Sequence, residues 1–112
     1  MASLRTLQYA LQPFAQELLR VARTADSTFR VTSSRRSYQD QARLYQAFLD
    51  GKSELPAAPP GKSLHEFGLA FDLARPGVQV WEDDLLPQLG ALWNSWGGHW
   101  SKTDPVHFEV RL

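Results

Sequence analysis

The chain has 112 residues, 43% of them apolar and 21% charged, which suits one soluble domain with a modest core. Twelve basic residues balance 12 acidic ones, so no net positive field exists for nucleic acid or an anionic membrane. The absence of cysteine excludes disulfides and Cys-ligated metals, and the first residues carry no apolar run of signal-peptide or membrane-spanning length.

Taken in chain order, the pattern predicts a compact α+β domain. Leu4, Leu7, Leu11, Phe14, Leu18 and Val21 recur at three- and four-residue steps, which marks an amphipathic helical region. Pro13 removes a backbone donor, so a kink or two short helices are expected there. Residues 28–33 alternate, with Phe29 and Val31 on one side, and read as a strand. Ser37 suits the cap of a helix that begins at Tyr38, turns Ala42, Tyr45 and Phe48 or Leu49 inward, and ends at Gly51. Pro56, Pro59, Pro60 and Gly61 make residues 52–62 a loop. Residues 69–73 alternate as a strand. Asp83 or Asp84 opens a helix through Leu85, Leu89, Leu92 and Trp93, which stops at Gly97-Gly98. Residues 106–111 alternate again. No internal repeat appears.

The strand phases place chemistry on one face. Leu69, Phe71 and Leu73 share one side of their strand, and Ala70 and Asp72 the other; Val106, Phe108 and Val110 oppose His107, Glu109 and Arg111. Pairing the strands would bury both apolar sets against helices and bring Asp72 beside His107 on the open sheet face. Gly68 allows a sharp turn, so that His65 folds back toward Asp72. Two imidazoles and a carboxylate form a three-ligand zinc set with a fourth position left for water. Asp104, three residues before His107, stands where a water-activating site needs a base. These residues imply a small zinc hydrolase. A lone histidine is more often structural, and Asp104 could equally cap a turn; the weight lies in the combination.

The pattern S-x-H-x-x-G-x-A-x-D over residues 63–72, followed by D-x-x-H-F-E over residues 104–109, resembles the zinc D-Ala-D-Ala carboxypeptidase family. That family includes D,D-carboxypeptidases, D,D-dipeptidases and phage L-alanyl-D-glutamate endopeptidases. Residues 33–45 resemble its arginine-bearing segment, and residues 96–109 resemble the phage endolysin branch most closely. The resemblance implies His65, Asp72 and His107 as ligands of Zn2+, Asp104 as the catalytic base, and Arg36 as the group that binds substrate and steadies the oxyanion. Arg36 is expected at the rim of the site, contributing to catalysis and not to folding, with Arg35 a solvated neighbour. Ser63 either bonds substrate or caps its turn, and Glu66 is an exposed turn residue. Trp100, with Trp96, is expected to line a groove for the peptide, while Trp81 and Trp93 belong to the core or its edge. His99 is expected at the cleft wall, since a fourth protein ligand would close the site. Glu109 or Ser63 would orient the metal ligands, although for Glu109 a salt bridge with Arg111 or a solvated carboxylate is an equal expectation.

The implied function is zinc-dependent hydrolysis of the peptidoglycan stem peptide, at the L-Ala–D-Glu bond in the phage branch. The alternatives are a D-Ala-D-Ala carboxypeptidase or dipeptidase, and an inactive zinc-stabilised wall-binding or structural module. Residues 1–112 are expected to form a single catalytic domain, without a separate wall-binding domain, acting as a monomer on the cell wall after release through a phage-made membrane lesion. No nucleic acid or membrane partner is expected.

Overall fold

A computed structural model describes residues 2–112. Two 3-10 turns, Leu4–Thr6 and Tyr9–Leu11, lead into helix α1, Gln12–Ala25. Pro13 sits in the first turn of α1, where a missing N–H costs nothing. It therefore starts a helix; the expected kink is a change from 3-10 to α geometry. Leu4, Leu7, Leu11, Ala15, Leu18 and Ala22 bury one continuous stripe along these elements.

Strand β1, Arg30–Ser33, pairs antiparallel with β2, Ala70–Ala74, which pairs antiparallel with β3, His107–Glu109. The sheet order is β1-β2-β3. Phe71 lies opposite Phe108, and Asp72 opposite His107. On the first face, Phe71, Leu73 and Phe108 pack against α1 and helix α3, Leu85–Ser95, whose Trp93 meets Phe71 edge-on with ring centroids 5.3 Å apart. β3 is shorter than the alternation of residues 106–111 implies. Its far side is covered by a one-residue antiparallel bridge between His99 and Glu109.

Helix α2, Tyr38–Leu49, starts where expected: Ser37 Oγ accepts from Asp40 N, and the chain leaves through Gly51 at φ 73°. Its packing differs from the sequence expectation. Ala42 and Tyr45 are only half-buried, Phe48 and Leu49 are exposed, and Gln41 is the fully buried side chain of α2. The reason is position: α2 lies beside the Pro-rich loop, and Gln41 and Leu44 face a cleft. Among the described residues no helix is long and apolar enough to cross a membrane.

Candidate metal centre

His65 comes from a 3-10 turn, Leu64–Phe67, that is tied at both ends. Ser63 Oγ accepts from His65 N, and the Glu66 carboxylate reaches back to Ser63 N at 3.1 Å and Gly61 N at 2.9 Å. This is a capping box. Ser63 thus caps the turn while lining the cleft, and Glu66 is a half-buried brace, not an exposed residue. Gly68 ends the turn at φ 69°, and a Cβ there would press on the Arg35 guanidinium and the Gln8 backbone. That sharp exit carries the chain straight into β2 and Asp72.

The strand register sets Asp72 beside His107, and the turn brings His65 over both. His65 Nε2 lies 3.0 Å from Asp72 Oδ1 and 3.1 Å from His107 Nδ1, which is 3.2 Å from the same carboxylate oxygen. The other nitrogen of each ring is already used. His65 Nδ1 donates to the Ser34 carbonyl at 2.7 Å, and His107 Nε2 donates to Glu109 Oε1 at 2.7 Å. A carbonyl and a carboxylate only accept, so in the neutral rings both inward nitrogens present lone pairs. Two imidazole lone pairs and a carboxylate oxygen then converge with no proton among them. Such a cluster repels itself unless a cation sits inside. The residues fit a metal ion, and two imidazoles with one carboxylate suit zinc. Outer hydrogen bonds of this kind hold ligand rings in orientation.

Charge balance supports the same reading. Burial favours neutral Asp72, but bonds from His107 and His65 outweigh it and hold the acid well below the usual carboxylate range. With a proton in place of a metal, burial opposes charge on His107, yet Asp72 and Glu109 push its pKa up to about 9. Glu109 is held down at about 2 by His107 and Arg111.

Asp104 faces this centre from the loop before β3, across a cleft of about 690 Å³. Its Oδ1 is buried and has no hydrogen-bond partner among the described residues, which does not fit a turn cap. Burial pushes its pKa up to about 6, against the pull of His107.

Arg36 is less free than a rim residue. Nε donates to Ser33 Oγ at 2.9 Å, Nη1 to Gln41 Oε1 at 3.1 Å and Nη2 to Asp72 Oδ2 at 3.2 Å. It lines the cleft and also fixes the outer oxygen of a metal-ligand candidate, so its role extends beyond substrate. Arg35 instead donates to the Phe67 carbonyl at 3.3 Å, away from the centre.

His99 lines the cleft but stands outside the three-residue group. The structure does not bring Trp100 to the cleft. Its ring covers Gly90 of α3, and its Nε1 donates to the Pro105 carbonyl at 2.9 Å. Trp100 therefore packs against the core and holds the loop that carries Asp104. Trp96 flanks an apolar groove near Phe14 on another part of the surface, Trp93 is core, and Trp81 is exposed. Gln41 and Ser34 escaped sequence reasoning: a backbone carbonyl has no sequence signature, and a glutamine on a polar helix looks solvated.

A model of the VanY family, D-alanyl-D-alanine carboxypeptidase, matches residues 5–90. The chain belongs to that family. It is a metallopeptidase of the class that acts on peptidoglycan. No curated protein matches the chain significantly. Among solved structures, the fold is similar to a mutant of the vancomycin-resistance D,D-pentapeptidase VanY in complex with Zn(II), at 20% identity and TM-score 0.67, covering 93% of this chain and 72% of that one. It is also similar to the vancomycin-resistance D,D-dipeptidase VanXYg in complex with a D-Ala-D-Ala phosphinate analogue, at 17% identity and TM-score 0.69. This chain spans 50% of that protein's length. DacB from Streptococcus pneumoniae D39 is 28% identical with TM-score 0.56, over 88% of this chain and 65% of DacB.

Proposed function

We propose that this family member is a zinc-dependent peptidoglycan peptidase that hydrolyses the stem peptide at the L-Ala–D-Glu bond, in the manner of a phage or prophage endolysin. The observation that carries the peptidase reading is the convergence of three lone-pair donors, His65, Asp72 and His107, on one point, with the unpartnered Asp104 oxygen facing the same cleft. A purely structural metal would not need Asp104, whose Oδ1 no hydrogen bond ties to the ligand residues. The sequence around Asp104–Glu109 and the Trp-Gly segment favour the endopeptidase branch. Family membership and the D,D-peptidase neighbours favour cleavage at D-Ala-D-Ala as the second reading.

When bound, zinc would supply a Lewis acid that polarises the scissile carbonyl and makes water more acidic. Asp104 Oδ1 accepts a proton from the attacking water and passes it to the leaving amine. Arg36 spends three N–H groups on Ser33, Gln41 and Asp72 and keeps others for the substrate oxygen. Ser34 and Glu109 hold the two imidazoles in the tautomers that aim lone pairs inward. Lys62, exposed at the cleft lining, has no carboxylate partner among the described residues, whereas Arg36 and Arg111 pair with Asp72 and Glu109. Lys62 is thus placed to receive a substrate carboxylate. The unit acts on the cell wall as a monomer.

Mass spectrometry of purified peptidoglycan digested by the zinc-loaded protein tests this reading. New amino-terminal D-Glu with free L-Ala ends supports the endopeptidase. Loss of D-Ala alone moves the assignment to the carboxypeptidase. An unchanged stem peptide would contradict both.

A further inference from the structure

Gln41 is 1% exposed, yet no step of hydrolysis uses it. Both ends of its amide are occupied by groups that leave no choice of orientation. Oε1 accepts from Arg36 Nη1 at 3.1 Å, and a guanidinium only donates. Nε2 donates to the Ala58 carbonyl at 2.8 Å, and a carbonyl only accepts. Arg36 in turn reaches Asp72 Oδ2, whose other oxygen faces the two imidazoles. A continuous chain of bonds therefore runs from the Pro-rich loop, Ala58, through Gln41 and Arg36, to the central carboxylate. The loop is also tied at Gly61, whose N–H donates to Glu66, and at Leu55, which packs on the core, but of these contacts the Ala58 bond leads to the central carboxylate. Residues 52–62 hold no helix or strand, and Leu55, Pro56, Ala57 and Ala58 form one wall of the cleft. Helix α2 itself rests on the molecule with Gln41 as its fully buried residue.

We propose that Gln41 is a positioning residue that couples the loop forming the cleft wall to the metal-ligand carboxylate through Arg36. Filling the metal site orders the wall against which substrate lies, and a loosened wall weakens the metal site. Coupling of this kind is reciprocal, so it is readable without any turnover. The inference rests on His65, Asp72 and His107 holding zinc.

The test is amide hydrogen exchange of residues 52–62, with and without zinc, referenced to amides of α3, together with zinc affinity by calorimetry. In the parent, zinc should slow loop exchange several-fold beyond any slowing in α3. Gln41→Leu removes both bonds; zinc affinity should drop by roughly tenfold or more, the scale seen for outer partners of metal ligands, and the zinc-dependent protection of the loop should vanish. Gln41→Glu keeps the acceptor for Arg36 and loses the donor to Ala58. It should lose loop protection and lower zinc affinity only by the matching several-fold factor, less than Gln41→Leu does, a paired loss that a merely structural role does not produce. Should Gln41→Leu fail to fold, the Glu variant alone decides. Zinc binding by the parent without selective loop protection, or full protection in Gln41→Glu, would overturn the coupling and leave the metal centre standing. A parent that binds no zinc would overturn both.

Discussion

Two residues carry most of the chemistry that the ligands do not. Asp104 Oδ1 is buried and has no partner among the described residues, so Asp104→Asn should leave zinc binding intact and lower hydrolysis by on the order of a hundredfold to ten-thousandfold. An Asn variant with full zinc and full activity would return Asp104 to a capping role. The pH dependence follows from burial, which pushes the Asp104 pKa up to about 6. A base works only when ionised, so activity should fall as acid protonates Asp104, at a pH below about 6 once the charge of bound zinc favours the carboxylate. The same shift acts on folding in the opposite sense. The native chain keeps a proton on Asp104 that the unfolded chain releases near pH ~3.9, so this group's contribution weakens as pH rises from about 4 to about 6. Asp104→Asn should therefore be more stable than the parent at neutral pH, which a melting curve checks. Arg36 joins Asp72 Oδ2, Gln41 and Ser33. Arg36→Ala should lower turnover by roughly a hundredfold and also weaken zinc binding by about ten- to a hundredfold. Unchanged zinc affinity by calorimetry would limit Arg36 to substrate.

At the scale of elements, α3 and the loop before β3 act as one unit. A Cβ at Gly90 would run into the Trp100 indole, and Trp100 in turn bonds the Pro105 carbonyl next to Asp104. Gly90→Ala should cost about 1–3 kcal/mol through overpacking, measurable by urea denaturation, and should disturb activity through the Asp104 loop. A neutral Gly90→Ala would mean the indole yields easily. Legibility in the sequence also divides by element. The alternation at residues 69–73 and 106–110 revealed β2, β3 and the face shared by Asp72 and His107, because a period of two is unambiguous when one side is apolar. Ser37 and Gly51 marked the ends of α2 through capping chemistry. The inward face of α2 was misread, since Tyr45, Phe48 and Leu49 look like core residues while the helix borders a cleft. Trp100 was misread for the related reason that an indole suits a groove and a core equally. The links through Ser34, Gln41 and Ala58 depend on backbone carbonyls and a buried amide, which leave no pattern.

Across the whole molecule, the metal centre joins a 3-10 turn, β2 and β3, so ligand binding and folding are linked. Free zinc at a thousand times its Kd should stabilise the fold by about 4 kcal/mol, seen as a raised Tm in calorimetry and reversed by a chelator. A Tm indifferent to zinc would separate the centre from folding. The claim on which the account stands is that His65, Asp72 and His107 bind one zinc ion and that this ion is needed for hydrolysis. Metal content by mass spectrometry, read with peptidoglycan hydrolysis on the same samples of parent and Asp72→Ala, tests it most directly. The account predicts one zinc per parent chain, and loss of both metal and activity in the variant. Parent-level zinc and hydrolysis in Asp72→Ala would contradict it.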